Sequence, residues 1–193
     1  LKDKKVYIAD GQHRAASATE YRKIKLNELK VSNDYDAPWQ YLLSYVAGVL
    51  RRPEVPYNRV IKRLQMEEKE FLEKLEEIYE ITPIKQAFNP ENKNQIALCI
   101  NGKWFKLKVK DRSFKSKRDS LDVAILQDKV LEPILGISDP RSDENIFFVG
   151  GIQDPTRMER YVVDGGNDLF INLFPVDIRD LEFIADSGGV MPP

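Results

Sequence analysis

The dipeptide Asn101-Gly102 constrains this chain more than any other feature. Both residues tolerate the positive φ of a two-residue hairpin turn, and apolar runs flank them on either side. Residues 95–110 therefore read as an antiparallel hairpin. In its second arm Phe105, Leu107 and Val109 alternate with Lys106, Lys108 and Lys110, so one face is buried and the other wet. The stretch 103–118 also mixes cations with Trp104, Phe105 and Phe114, a combination that can bind single-stranded nucleic acid. The alternation already accounts for the lysines, and the formal net charge is −1, so nucleic acid is disfavoured as a partner.

Periodicity and caps lay out the remaining elements. Residues 4–9 read as a short buried strand. Residues 14–25 read as a helix kept thin by Ala15, Ala16 and Ala18, with Tyr21 and Ile24 as later apolar contacts. Residues 33–38 form a loop, and 39–50 fit neither the helix nor the strand period. After Pro53 and Pro56, residues 58–64 return as a strand. Residues 67–79 form the clearest helix, with Phe71, Leu72, Leu75, Ile78 and Tyr79 on one face and Glu70 placed to pair with Lys74. Residues 121–131 are helical, with Pro133 tightening or ending the helix, and 145–149 and 168–174 are strands. Asp154 with Pro155 caps one helix, closed by Gly165-Gly166, and Asp177 caps a last one ending near Gly188-Gly189. The expected fold is α+β, a mixed sheet with helices packed on it. With 193 residues, 42% of them hydrophobic, the chain can bury a substantial core. No apolar run is long enough to span a bilayer, so a cytoplasmic address without membrane contact is the expectation.

Residues 7–18 hold the most chemistry. Tyr7-Ile8-Ala9-Asp10 leads into Gly11, and Gln12-His13-Arg14 opens the small-residue helix. A glycine turn before a helix exposes amides that favour an anion, and Arg14 can grip two phosphate oxygens. His13 is the only histidine in the sequence. Asp10 suits several roles: orienting His13, holding magnesium, accepting a hydroxyl proton, or fixing the turn. A plain connecting turn accounts for these residues equally well on local physics.

Three further groups carry polar chemistry. Asn58, Arg59 and Lys62 follow a strand connection, where the cations could meet phosphate or carboxylate. Asp139 and Asp143 offer hard oxygen ligands for magnesium, with Arg141 between them to neutralise a phosphate. A self-bonded turn is the stronger reading of that loop on chemistry alone. Gly150-Gly151 after a strand permits close approach of a ligand or backbone. One cysteine, Cys99, rules out an internal disulfide, and one histidine argues against a zinc hydrolase.

The Asp10-Gly11-Gln12-His13-Arg14 segment resembles the Asp-Gly-x-His-Arg signature of the ParB/sulfiredoxin-like superfamily. More closely, the chain resembles the domain-of-unknown-function family 1015, with its Ile-Ala-Asp-Gly-His-His-Arg turn; Gln12 departs from the middle histidine. Tyr57-Asn58-Arg59-Val60-Ile61-Lys62, Gly102-Lys103-Trp104-Phe105-Lys106-Leu107 and Leu121-Asp122-Val123 through Leu135-Gly136-Ile137 match that family in order. So do Asp139-Pro140-Arg141-Ser142-Asp143, Phe148-Val149-Gly150-Gly151 and Val190-Met191-Pro192-Pro193. The resemblance favours a buried strand within 39–50. It implies that the chain is the C-terminal part of a longer member, trimmed at both ends. It also implies a partial ParB/sulfiredoxin-like nucleotide-binding region over 1–66 and an α+β region over 67–193.

By the same resemblance, Gly11, His13 and Arg14 hold the phosphates of ATP or ADP with magnesium. Asp10 and His13 act in catalysis, Asn58, Arg59 and Arg141 hold substrate or phosphate, and Asp139 and Asp143 hold metal. The expected function is a nucleotide-dependent phosphotransferase on a small metabolite such as a free amino acid. The alternative is a nucleotide-binding switch or DNA- or protein-interaction module of the partition type. Sulfiredoxin-type repair is nearly excluded, because Gln12 stands where the cysteine would. The oligomeric state is open.

Overall fold

The computed structural model describes residues 4–8, 11–33, 35–46, 56–151 and 154–192. The chain divides into two compact units, Leu1–Arg52 and Pro53–Pro193, each considered by itself. The division falls before the first strand of the sheet, so residues 53–66, expected to belong with the N-terminal region, lie in the second unit.

In the first unit, α1 (Gln12–Leu29) is longer than expected at both ends and closes on Lys30 in the left-handed region at φ 51°. Gln40, at the end of a 3₁₀ turn over Pro38–Gln40, bonds the carbonyls of Asn33 and Tyr35 at 2.9 and 2.8 Å and accepts from the Arg22 guanidinium on α1. Three expectations fail here. Residues 4–8 are irregular, with Val6 and Ile8 exposed, rather than a buried strand; Ala9 lies outside the described residues. Tyr21 and Ile24 are exposed rather than packed, as are Tyr41, Leu42, Leu43 and Tyr45 in the stretch read as a buried strand. The remainder of that stretch, 47–50, lies outside the described residues. An extended run becomes a strand only where a neighbour takes its backbone hydrogen bonds, and the sheet of the described residues lies in the second unit.

The second unit is a six-stranded sheet. Its strands are β1 (Tyr57–Ile61), β2 (Tyr79–Ile84), β3 (Gln95–Ile100), β4 (Lys103–Val109), β5 (Ile146–Gly150) and β6 (Leu169–Leu173). The order across the sheet is β2-β4-β3-β6-β1-β5, and every pairing is antiparallel, so the expected mixed sheet is corrected. Of the strands consecutive in sequence only β3 and β4 are also neighbours in the sheet, joined by the tight turn that an antiparallel pair permits. The hairpin stands as read. Asn101 and Gly102 both have positive φ, 49° and 76°.

Among the described residues four helical segments flank the strands: α2 (Glu68–Glu76), α3 (Asp122–Leu126) running into a π turn over Gln127–Leu131, α4 (Pro155–Val163) and α5 (Ile178–Asp186). One face of the sheet carries the main core. Phe71 and Leu75 of α2, Val123, Ile125 and Leu126 of α3 and Ile184 of α5 gather there with Ile61, Leu98, Leu107 and Ile171 of the strands. The opposite face is narrower. Met158 and Val162 of α4 cover Val60, Cys99, Trp104 and Phe170. Helix α2 ends three residues earlier than expected, because Tyr79 begins β2. That strand carries Pro83, which an edge position tolerates since one side of its backbone needs no ladder bond.

Candidate functional site

Gly11 precedes α1 at φ 77°, ψ 23°, the left-handed conformation that glycine reaches without strain. Among the described residues no side chain caps the helix, and its first turn holds no acidic residue. The opening amides and dipole of a helix favour an anion. The Arg14 guanidinium folds back over the glycine: a Cβ placed on Gly11 would meet Arg14 Nη2 at 3.0 Å and Nε at 3.1 Å. The backbone angle therefore requires glycine, and a side chain there would displace the guanidinium. This donor set fits a phosphate group. Asp10 and the side chain of His13 lie outside the described residues.

The other sequence-derived candidates belong to the second unit. Asn58 and Arg59 sit on β1, both buried. The Asn58 carboxamide oxygen accepts from the Leu173 amide at 3.1 Å, which ties β1 to the end of β6. The Arg59 guanidinium donates to the Tyr57 carbonyl and lies 4.6 Å from the Phe148 ring centre and 5.6 Å from that of Tyr57. Burial pushes this guanidinium down to about 10, against a smaller upward pull from Tyr57. At 2% exposure it knits β1 to β5 inside the sheet.

The Asp139–Asp143 loop is bonded to itself. Arg141 grips Asp139 through Nε at 2.7 Å and Nη2 at 3.0 Å, and its backbone amide adds a third bond at 3.1 Å. The Asp143 carboxylate accepts the Asn145 amide at 2.7 Å. The donor set does not fit a magnesium site, since each carboxylate serves its own turn. Among the described residues no group of three His, Cys, Asp or Glu side chains is placed to hold a metal.

The structure adds a feature that the pattern reading passed over. A groove of about 630 Å³ opens between the Lys85–Ala87 segment after β2, the turn joining β3 to β4, and α4. Trp104 forms part of its wall and donates its indole N–H to Glu159 on α4 at 3.1 Å. The Trp104 ring also meets Phe170 edge-on at 6.1 Å. Lys103 at the rim is held by Glu68 at 2.8 Å, and this bond, with one from Asn101, keeps the Glu68 carboxyl below its ordinary value. Cys99 lies opposite Trp104 in the ladder, and burial pushes its thiol up to about 12. One signal was present in the sequence. Trp104 shares strand parity with Lys106 and Lys108, and an indole on a wet face needs a cover that the hairpin cannot provide.

Residues 1–124 match the model of the DUF1015 family, a protein of unknown function. The chain belongs to this family. The matched DUF1015 residues include the Gly11 turn, β1 and the hairpin. A solved structure, a conserved hypothetical protein from Pyrococcus furiosus, is similar at 15% identity over 96% of this chain, with a TM-score of 0.45. This chain spans 66% of that protein's length. No curated protein matches it. No helix of the described residues is long and apolar enough to cross a membrane.

Proposed function

We propose that this DUF1015 chain is part of a nucleotide-dependent phosphotransferase of ParB/sulfiredoxin-like type, acting on a small metabolite such as a free amino acid. The observation that supports the reading is the left-handed Gly11 at the start of α1, with the Arg14 guanidinium folded onto the glycine. Such a turn offers backbone donors and one cation to an anion of phosphate shape. ATP or ADP with magnesium supplies the phosphoryl group when bound. The chain's part is positioning and charge neutralisation, which make up most of the catalysis of this transfer. Gly11 lets the phosphate approach the backbone, Arg14 holds its oxygens, and His13 adds a donor beside them. Asp10 takes the acceptor's proton. Asn58, Arg59, Arg141, Asp139 and Asp143 are left out of the mechanism, because their side chains are engaged in the sheet or in their own loop.

Calorimetric titration of ATP and ADP with magnesium tests the reading, using the chain and its Arg14→Ala variant. Arg14 is exposed, so the variant keeps its fold. The expected result is binding by the parent, weakened about tenfold or more in the variant, as for loss of a charge-assisted contact. Equal binding by the two proteins, or none by the parent, counts against it.

A further inference from the structure

The groove beside α4 has an unusual balance of charge. Lys103 at its rim is neutralised by Glu68. Two groups remain. Lys85 is exposed and, among the described residues, has no ion-pair partner. Glu159 accepts the Trp104 indole through Oε2 only, so Oε1 is open to a donor. The indole bond also fixes where the carboxylate stands. The same groove is lined by the apolar side chains of Ile84 and Ala87. At about 630 Å³ the groove is of ligand size.

We infer that this groove binds a free α-amino acid with an apolar side chain. The ammonium group meets the Glu159 carboxylate, the carboxylate meets the Lys85 ammonium, and the side chain lies on Ile84 and Ala87. A zwitterion matches one fixed carboxylate and one open ammonium. A phosphate does not, because Glu159 repels it and Lys103 is already held. Nor does the groove suit a stacked base, since Trp104 is only 4% exposed and presents little of its ring face. The site lies within the second unit, and no step of the inference depends on the Gly11 turn, whose nucleotide titration has a separate readout.

The test uses the indole N–H resonances of the whole chain, which has two tryptophans, with Trp39→Phe assigning the signal of Trp104. L-Leucine, L-methionine and L-phenylalanine are titrated in turn. Leucinamide lacks the carboxylate, 4-methylpentanoate lacks the ammonium, and inorganic phosphate probes the anion alone. At least one of the three amino acids is expected to shift the Trp104 signal in a saturable way. Loss of either charge from leucine, or the variants Lys85→Ala and Glu159→Gln, should each weaken binding about tenfold or more. Glu159→Gln keeps an acceptor for the indole while removing the charge. No shift with any of the three amino acids overturns the inference. So does affinity indifferent to both variants, or a shift produced by phosphate alone.

Discussion

Asp122 and Asp180 are both buried carboxylates, and their surroundings drive them in opposite directions. Asp122 accepts the Asn94 amide through both oxygens, at 2.9 and 3.1 Å, and so clasps the left-handed residue before β3. Burial pushes its carboxyl up to about 7, against the Asn94 amide and Lys93, which pull it down. For Asp180 burial also acts upward, but hydrogen bonds from Lys93 and Lys117 outweigh it and hold the carboxyl below its ordinary value. One amide does not offset desolvation, whereas two ammonium groups do. Because Asp122 has its value raised by folding, its contribution to stability is full below the unfolded value near 4. That contribution declines as the pH rises towards 7. Asp122→Asn should therefore cost most near pH 5 and least near pH 8. Urea unfolding of both proteins across that range checks this, and a cost that does not change with pH would contradict it.

At the scale of the element, α4 shows how cap and core divide the work. Asp154 accepts the Thr156 amide at 2.9 Å and Pro155 occupies the first helical position, as the sequence indicates. Met158 and Val162 carry the helix onto Trp104 and Phe170. Asp154→Ala should cost about 1 kcal/mol, as loss of a capping bond does. Met158→Ala should cost about 2–5 kcal/mol, because it opens a cavity where the side chain is 2% exposed. Denaturation midpoints rank the two, and the reverse order would mean that the sheet does not hold α4 through Met158. Helix α2 shows how a local pattern misleads. Tyr79 continues the apolar spacing of Leu75, so it reads as helical, yet its backbone pairs with Val109 in β2. Burial satisfies the side chain in either conformation, and only the neighbouring strand decides between them.

For the whole molecule, β6 is decisive. It lies between β3 and β1 and, among the described residues, alone joins the β2-β4-β3 half of the sheet to the β1-β5 half. All five of its residues are buried, with Ile171 facing one core and Phe170 the other. Ile171→Asp should abolish cooperative unfolding, because it places an unpaired charge where both halves meet. Thr82→Asp on the exposed edge strand should leave the transition in place. Circular dichroism during thermal unfolding distinguishes the two, and a cooperative Ile171→Asp protein would show that the halves stand without this bridge.

The sequence alone determined the features whose cause is local. The Asn101-Gly102 hairpin, the Asp154 and Asp177 caps and the Glu70–Lys74 pair at 2.7 Å follow from turn angles, orphan amides and helical spacing. The glycine of the Gly11 turn was readable for the same reason, since its backbone angle is set within a few residues. Tertiary structure decided which strands meet, that all meet antiparallel, and where α2 yields to β2. It also decided the chemistry of the polar groups. Arg59 reads as a substrate or phosphate contact and lies inside the sheet, Arg141 reads as a phosphate grip and closes on Asp139, and Glu159 gains its partner only when α4 covers Trp104. Residue type states what a side chain can bond. Whether a protein group has already taken that bond depends on residues brought together by the fold.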